Sequence, residues 1–314
     1  MPPRAGLGVG AEAGPEGPAD PREILDKVRH IEIRTQRLAR ETLAGQYHSV
    51  FKGRGMDFEE VREYVPGDEI RAIDWNVTAR TGRPFVKKFR EERELTIALL
   101  VDLSASGGFG SGEQSKRELA AEVAAVLAFS AIRNADKVAL VVFTDEVEHY
   151  VPPGKGRAHV LRVVRDILYF RPRRRGTDVA RALEFATRVL HRRAIAFLVS
   201  DFLVPLGSPE FRRALEIGSR RHDLVGVCVS DPRERELPDV GRVTLEDAES
   251  GELLELDTAD PAVRESFARA AGERRSALIH RLRGAGLDTL ELDTAVSYMP
   301  ALLRFFRQRA ARRR

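Results

Sequence analysis

The sequence predicts an α/β domain: a mostly parallel sheet with helices on both faces, joined to a small N-terminal subdomain and interrupted by a β-hairpin insertion. Three observations predict it. Continuous apolar runs of strand length recur at 95–101 (LTIALLV), 137–143 (KVALVVF) and 194–200 (AIAFLVS). Helix-like segments separate these runs, and strands buried on both faces need such crossovers to cover them. With 43% hydrophobic residues in 314, the chain can also build a full α/β core and a smaller appended region.

Taken in order, residues 1–20 are rich in Pro, Gly and Ala and read as a disordered leader without the apolar core of a signal peptide. Residues 21–44 read as a helix: Asp20-Pro21 is a start signal, and Ile24, Leu25, Val28, Ile31, Ile33 and Leu38 form a rough apolar stripe. From 45 to 94 the periodicity is poor, with turn signals at Gly53, Gly55, Pro66-Gly67 and Gly82, so a small mixed subdomain is expected. Within it, Trp75 reads as a packing anchor. Asp68, Arg71, Asp74 and Arg80 read as an ion-pair network fixing this region to the main domain. The main domain is expected from 94 to 314, after a helix and lead-in at 21–93.

Its first strand, 95–101, leads through a Gly-rich loop to a helix at 114–133. The strand 137–143 turns at Thr144-Asp145-Glu146 and pairs with 147–151. Helices are expected at 158–168 and 178–191, a strand at 194–200, a helix at 210–220 and a strand at 224–229. Residues 231–258 interrupt this alternation with two short strands, 242–245 and 252–256, around Ser250-Gly251, which is a hairpin pattern. A long helix at 262–283, a strand at 287–292 and a helix at 299–308 complete the chain, with Pro300 suited to a first turn.

Composition excludes several functions. The formal charge is +4 although 32% of residues are charged, and both signs are interspersed, so no nucleic-acid partner is expected. Cys228 is alone and mid-strand, so no intramolecular disulfide or Cys-based zinc site can form, which fits a reducing cytoplasm. No run is long enough to span a bilayer, and a soluble cytoplasmic protein without an integral membrane segment is expected. The histidines show no H-x-x-x-H or H-E-x-x-H spacing, and no Ser lies in G-x-S-x-G. With no nucleophile-plus-base set, no catalytic residue is assigned and no enzyme is expected.

A parallel sheet binds ligands beyond the C-terminal ends of its strands. Three strand-end loops there carry oxygen-bearing side chains: Asp102, Ser104 and Ser106; Thr177 and Asp178, just after Gly176; Ser200 and Asp201. Carboxylates and hydroxyls are the donors that Mg²⁺, Mn²⁺ and Ca²⁺ prefer. With i, i+2, i+4 spacing, Asp102, Ser104 and Ser106 can point toward one ion. Asp178 reads instead as a helix cap. Ser104 and Ser106 taken singly could also cap the next helix; the set of Asp102, Ser104, Ser106, Thr177 and Asp201 favours metal. Two carboxylates and neutral hydroxyls cannot fill an octahedral shell alone; waters would complete it, or an incoming Asp or Glu of another protein at an open position.

Around that position, the loop 107–112 fails the dinucleotide and P-loop patterns and reads as a mobile rim presenting Phe109. Arg171, Arg173, Arg174 and Arg175 precede Gly176 and read either as a solvated loop or as a positive field steering an acidic partner, with Arg173, Arg174 and Arg175 as rim candidates. The C-terminal Arg304, Arg307, Arg309, Arg312, Arg313 and Arg314 read as cations at the end of a helix whose apolar face meets the sheet.

The D-x-S-x-S at Asp102–Ser106, with Thr177 and Asp201, resembles the metal-ion-dependent adhesion site (MIDAS) of von Willebrand factor A domains. The resemblance implies that the serines and threonine touch the metal directly or through water, while the Asp residues act mostly through water and hydrogen bonds. Upstream, Gly67 to Asn76 (GDEIRAIDWN), Ala79-Arg80 and Lys88 to Glu92 (KFREE) resemble the lead-in of the domain-of-unknown-function 58 (DUF58) family, over roughly residue 53 to the C-terminus. That resemblance implies a von Willebrand factor A-like domain and, because the family's genes commonly neighbour those of MoxR-type AAA-plus ATPases, an adaptor or co-chaperone role. The expectation is a protein-interaction module that uses Mg²⁺, or Mn²⁺ or Ca²⁺, to bind an acidic residue of a MoxR-type ATPase or its client. The alternatives are a metal-dependent phosphoester hydrolase, in which the cation activates water, and a degenerate metal-free scaffold.

Overall fold

The computed structural model describes residues 28–35, 60–66, 68, 73, 75–88, 94–112 and 114–312. The expected leader at 1–20, both ends of the helix at 21–44, and Arg71 and Asp74 of the expected ion-pair network lie outside these residues.

A six-stranded sheet forms the centre. Its strands are β3 (Thr96–Asp102), β4 (Lys137–Phe143), β5 (Val147–Gly154), β6 (Ile195–Ser200), β7 (Asp223–Ser230) and β10 (Asp288–Asp293), in the order β10-β7-β6-β3-β4-β5. All neighbours are parallel except β4 and β5, which are joined by the short Thr144–Glu146 turn and pair antiparallel at one edge. This is the mostly parallel sheet that the apolar runs predict. The chain lays β4 on one side of β3 and later returns to lay β6 on the other. The order therefore reverses about β3, and a crevice opens past the ends of β3 and β6.

Alternate residues of β3 feed two separate cores. Ile97, Leu99 and Val101 face one layer, with α2 (Lys116–Arg133), α3 (Arg157–Tyr169) and α7 (Tyr298–Arg312) supplying side chains such as Leu119, Val163 and Phe306. Ala98 and Leu100 face the other, with α4 (Val179–Val189), α5 (Pro209–Arg221) and α6 (Pro261–Gly284) supplying Leu183, Leu215 and Leu282. Burying each of these Leu, Ile or Val side chains stabilises the fold by about 1.5–3 kcal/mol. Helix starts follow their sequence signals. Ser115 and Glu118 form a reciprocal capping box on α2, Ser208 and Asp260 cap α5 and α6, and a proline stands in the first turn of each of the latter two.

The C-terminal helix does more than present cations to solvent. Arg309 is buried and reaches Asp223 of β7 and Asp288 of β10, the latter at 3.4 Å, while Arg312 meets Asp288 at 2.7 Å. The helical segment 28–35 packs on the main domain through buried Val28 and Ile31, with Arg34 on Glu122 at 3.2 Å and Arg157 on Glu32 at 2.8 Å. Ile33, counted in the apolar stripe, is exposed instead.

The lead-in forms an antiparallel pair, β1 (Glu60–Glu63) with β2 (Phe85–Lys88), around the short helix α1 (Trp75–Thr81). Trp75 is not a packing anchor: it opens α1 and is 67% exposed. Arg80 is also exposed, and Asp68 accepts a hydrogen bond from its neighbour Val65 N at 3.0 Å.

The predicted hairpin insertion is present as β8 (Arg242–Glu246) paired with β9 (Leu253–Asp257). It forms a separate two-stranded ribbon whose side chains are mostly exposed or half-buried.

Candidate cation and partner site

Of the strand-end residues singled out in the sequence, Asp102, Ser104, Ser200 and Asp201 line one cleft beside β3, with Ser106 against Ser104 and Thr177 on an adjoining loop. Asp102 ends β3, and parallel pairing places the end of β6 next to it, with Val101 opposite Val199. The Asp102 carboxylate is held from both sides: Oδ1 accepts from Ser104 N at 2.9 Å, and Oδ2 accepts from Ser200 Oγ at 2.6 Å. Ser200 Oγ in turn accepts from Phe202 N at 2.8 Å, where the chain takes a positive φ of 56° to leave the strand.

Ser104 and Ser106 are both buried, and their hydroxyl oxygens lie 3.1 Å apart. Neither is spent on starting α2. Ser104 precedes the 3₁₀ turn Ala105–Gly108 without a side-chain capping bond, and Ser115 caps α2. Helix capping, the alternative reading of these serines, therefore does not account for them. Asp178 does cap its helix, accepting from Arg181 N at 3.0 Å.

Thr177 lies on the loop alongside. Ala105 N donates to Arg175 O at 2.9 Å, and Asp178 N donates to Thr144 O at 2.8 Å, so the 175–178 segment is stitched between the D-x-S-x-S turn and the end of β4. The Thr177 hydroxyl donates to Glu249 Oε1 at 2.6 Å. Glu249 lies between β8 and β9, on the hairpin insertion.

Asp201, the fifth residue, is deeply buried beside Lys116, whose Nζ stands 2.6 Å from Asp201 Oδ2 and also contacts Glu234. Burial alone would pull the ammonium down. The carboxylates of Asp201 and Glu234 outweigh it and hold Lys116 above its ordinary pKa, so it stays charged. Asp201 Oδ1 accepts from Leu203 N at 3.2 Å.

Electrostatics set this cluster apart from the rest of the sheet. Burial, then the nearby Asp201 charge, raises Asp102 to about 7 against the pull of its Ser200 and Ser104 hydrogen bonds. Glu249 is raised too, by burial first; its bond from Thr177 works the other way, and the Asp201 charge adds to the rise. Asp102 and Asp201 thus share one cleft, which Lys116 and Arg117 also line. A cleft of about 20 Å³, room for an occupant of water size, opens among Asp102, Ser104, Lys116, Ser200 and Asp201.

The donor set fits a hard, oxygen-preferring cation: two carboxylates, with hydroxyls at Ser104, Ser106 and Thr177. Among the described residues no three His, Cys, Asp or Glu side chains form a metal cluster, so hydroxyls would have to complete any shell.

The rim differs from its expected form in two respects. The Gly-rich loop is tied down. Buried Asp231, at the end of β7, accepts from Ser111 N at 2.9 Å, Ser111 Oγ at 2.6 Å and Thr294 Oγ1 at 2.5 Å, and Lys116 N donates to Phe109 O at 3.0 Å. Gly110 fits only as glycine, since a Cβ there would stand 2.7 Å from Gln114 O and Ser115 Cα. Phe109 is exposed on this fixed loop. The arginine rim is also partly neutralised: Arg173 N and Arg174 N each donate to Glu148 Oε1 at 2.9 Å, and the Arg174 guanidinium lies 3.5 Å from Glu146 and 3.8 Å from Asp145. Arg173, Arg174 and Arg175 remain exposed around Thr177.

Sequence reasoning missed Ser200 as a partner of Asp102, and Lys116 and Glu249 altogether. Ser200 was in view beside Asp201. Lys116 looks like any charge in a first helical turn, and Glu249 lies 72 residues from Thr177 in a polar turn.

Solved structures similar to this chain include the conserved hypothetical protein BatB from Bacteroides thetaiotaomicron (16% identical, TM-score 0.45, covering 69% of this chain and 99% of that one). The SpRpn10 VWA domain is another (14% identical, TM-score 0.40, 67% and 93%). No described helix is long and apolar enough to cross a membrane. An uncharacterized protein of Mycobacterium tuberculosis strain H37Rv is 35% identical over 300 residues, which cover 95% of this chain and 92% of that protein, and one from Mycobacterium bovis matches equally. The family model described as protein of unknown function DUF58 matches residues 60–277, and the chain belongs to that family.

Proposed function

We propose that the crevice beside β3 is a divalent-cation site through which the protein grips an acidic residue of a partner protein. The observation that carries this reading is the meeting of Asp102, Ser104, Ser106 and Asp201 at the point where strand order reverses, with two buried hydroxyls not used for capping. Asp102, Ser104, Ser106, Thr177 and Asp201 would hold Mg²⁺, or Mn²⁺ or Ca²⁺, as in a metal-ion-dependent adhesion site. When bound, the cation supplies positive charge and an open position for a carboxylate. Ser200 and the Ser104 amide orient Asp102; Lys116 orients Asp201. The arginines at 173–175 and Phe109 form the surrounding contact surface. In this reading the protein is a binding module and not an enzyme.

As partner we propose a MoxR-type AAA-plus ATPase or a client it remodels, on the strength of the DUF58 membership. Titration calorimetry with Mg²⁺ and Mn²⁺ tests the cation, with Asp102→Ala/Ser104→Ala as control. Wild type should bind one ion, and the double variant at least tenfold more weakly. Pull-down of a MoxR-type ATPase should be lost with chelator and with the double variant. Capture that survives both would defeat the adhesion mechanism.

A further inference from the structure

We propose that Glu249 is a built-in acidic ligand of this same site, held against Thr177 by the β8–β9 arm, which a partner's carboxylate must displace. This inference rests on the cation-dependent reading above and adds its regulation: the chain carries its own competitor.

The geometry is specific. Thr177 Oγ1 donates to Glu249 Oε1 at 2.6 Å. A threonine hydroxyl can donate to a carboxylate while its lone pairs remain free for another acceptor role. The Gly176 backbone lies close to this carboxylate: a Cβ there would stand 3.9 Å from Glu249 Oε2 and 3.5 Å from Asp145 Cβ, in ordinary contact with both. A carboxylate is also the group expected from the partner, and two carboxylates cannot share one open position.

The arm is a rigid tip on a loose support. At the tip, Asp247 Oδ1 accepts from Glu249 N at 3.0 Å and from Ser250 N at 2.7 Å, and Gly251 N returns to Asp247 O at 2.8 Å. Gly251 takes the positive φ of 74° that this turn requires. Glu249 is therefore presented in a set direction. Behind the tip, β8 and β9 pair, among the described residues, only with each other, and Leu253 and Leu254 are 69% and 57% exposed. A two-stranded ribbon by itself is marginally stable in water, so the arm depends on its tip, its base and the half-buried Val243, Leu245 and Leu256. At the base, buried Thr258 fixes the crossing of the two strands: Oγ1 donates to Gly241 O at 2.7 Å and accepts from Val240 N at 3.2 Å. Such a lever can leave the site without disturbing the sheet.

The test uses the full chain with Mn²⁺ as the metal probe and acetate as the carboxylate probe. Hydrogen exchange across residues 242–257 is followed with and without Mn²⁺, and bound-water relaxation reports the open position. In the wild type, Mn²⁺ should slow exchange of the arm several-fold. In Glu249→Gln and Glu249→Ala that protection should vanish, relaxation enhancement should rise, and acetate should bind the Mn²⁺ form at least fivefold more tightly than in wild type. If wild type binds Mn²⁺ but arm exchange and acetate affinity are the same with and without Glu249, the built-in ligand is overturned and the cation reading stands. If neither wild type nor Glu249→Gln binds Mn²⁺, both fall together.

Discussion

Strands β6 and β9 are almost the same length and live in opposite worlds. Every residue of β6, Ile195 to Ser200, is buried between two helix layers. β9, Leu253 to Asp257, is exposed at four of its five positions, Leu253 and Leu254 among them, and Leu256 is half-buried. One ends in Ser200 and delivers Asp201 to the crevice; the other follows the tip that delivers Glu249. The contrast separates two ways of placing a carboxylate. The sheet fixes Asp201 among buried side chains, while the arm offers Glu249 through a few hydrogen bonds. A fixed acid suits a permanent ligand, and a loosely held one suits an exchangeable ligand.

The sharpest test of the contrast is to truncate a core side chain on the rigid side. Phe197→Ala removes a fully buried ring at the centre of β6. Lost burial and the cavity left behind should lower unfolding free energy by about 4 kcal/mol in urea melts. A loss under 1 kcal/mol would mean that this strand is not the rigid support claimed for it.

A second effect comes from pH. His222, at the end of α5, is buried, its Nδ1 accepts from Ala194 N at 3.3 Å, and the ring is held neutral. Burial first, then the positive charges of Arg221 and Arg193, lower it to about 4 from 6.5. Between these values the unfolded chain binds a proton that the folded chain refuses. The stability associated with the neutral ring is therefore fully present above pH 6.5 and lost as pH falls toward 4, by on the order of 3 kcal/mol. His222→Gln should flatten the pH dependence of stability in that window. If wild type and variant show parallel curves, the imidazole does not carry it.

How much of this was legible beforehand differs between the two regions for the same physical reason. Strands such as β3, β4 and β6 announce themselves because burial on both faces demands unbroken apolar runs. The start of the D-x-S-x-S turn and Asp201 could be placed side by side because the ends of such strands converge. Lys116 could not, because a lysine in a first helical turn is usually solvated, and only packing shows this one enclosed by Asp201 and Glu234. The same limit explains Trp75, whose bulk argued for burial although it stands exposed on α1. The hairpin was visible from its turn residues, but the docking of its tip depends on a long-range contact that no local pattern encodes.

Between core and arm stands Asp231, which ties the Gly-rich loop to the ends of β7 and β10. Burial would raise its pKa, yet the hydrogen bonds from Ser111 and Thr294 prevail and hold it at about 2. Asp231→Asn keeps the shape but offers one acceptor oxygen where two were in use. It should cost about 2 kcal/mol of stability and raise hydrogen exchange in the 107–112 loop. Unchanged exchange there would show that the loop's order has another source.

The smallest expected effect bears most directly on the arm. Leu254→Ser replaces an apolar side chain that is 57% exposed on β9. Because water already covers most of it in the folded protein, little burial is lost, and global stability should move by no more than about 0.5 kcal/mol. The substitution leaves the Thr177–Glu249 contact and the Asp247 turn intact, so binding of Mn²⁺ should also be unchanged. What should change is association: exposed leucines at 253 and 254 lie on the edge-accessible ribbon, where unpaired backbone groups invite further strands. A polar residue there should reduce concentration-dependent self-association in sedimentation velocity. If Leu254→Ser instead destabilises the protein by 2 kcal/mol or more, the arm is packed far more firmly than its exposure implies, and the contrast between a fixed acid at Asp201 and an exchangeable one at Glu249 loses its physical basis.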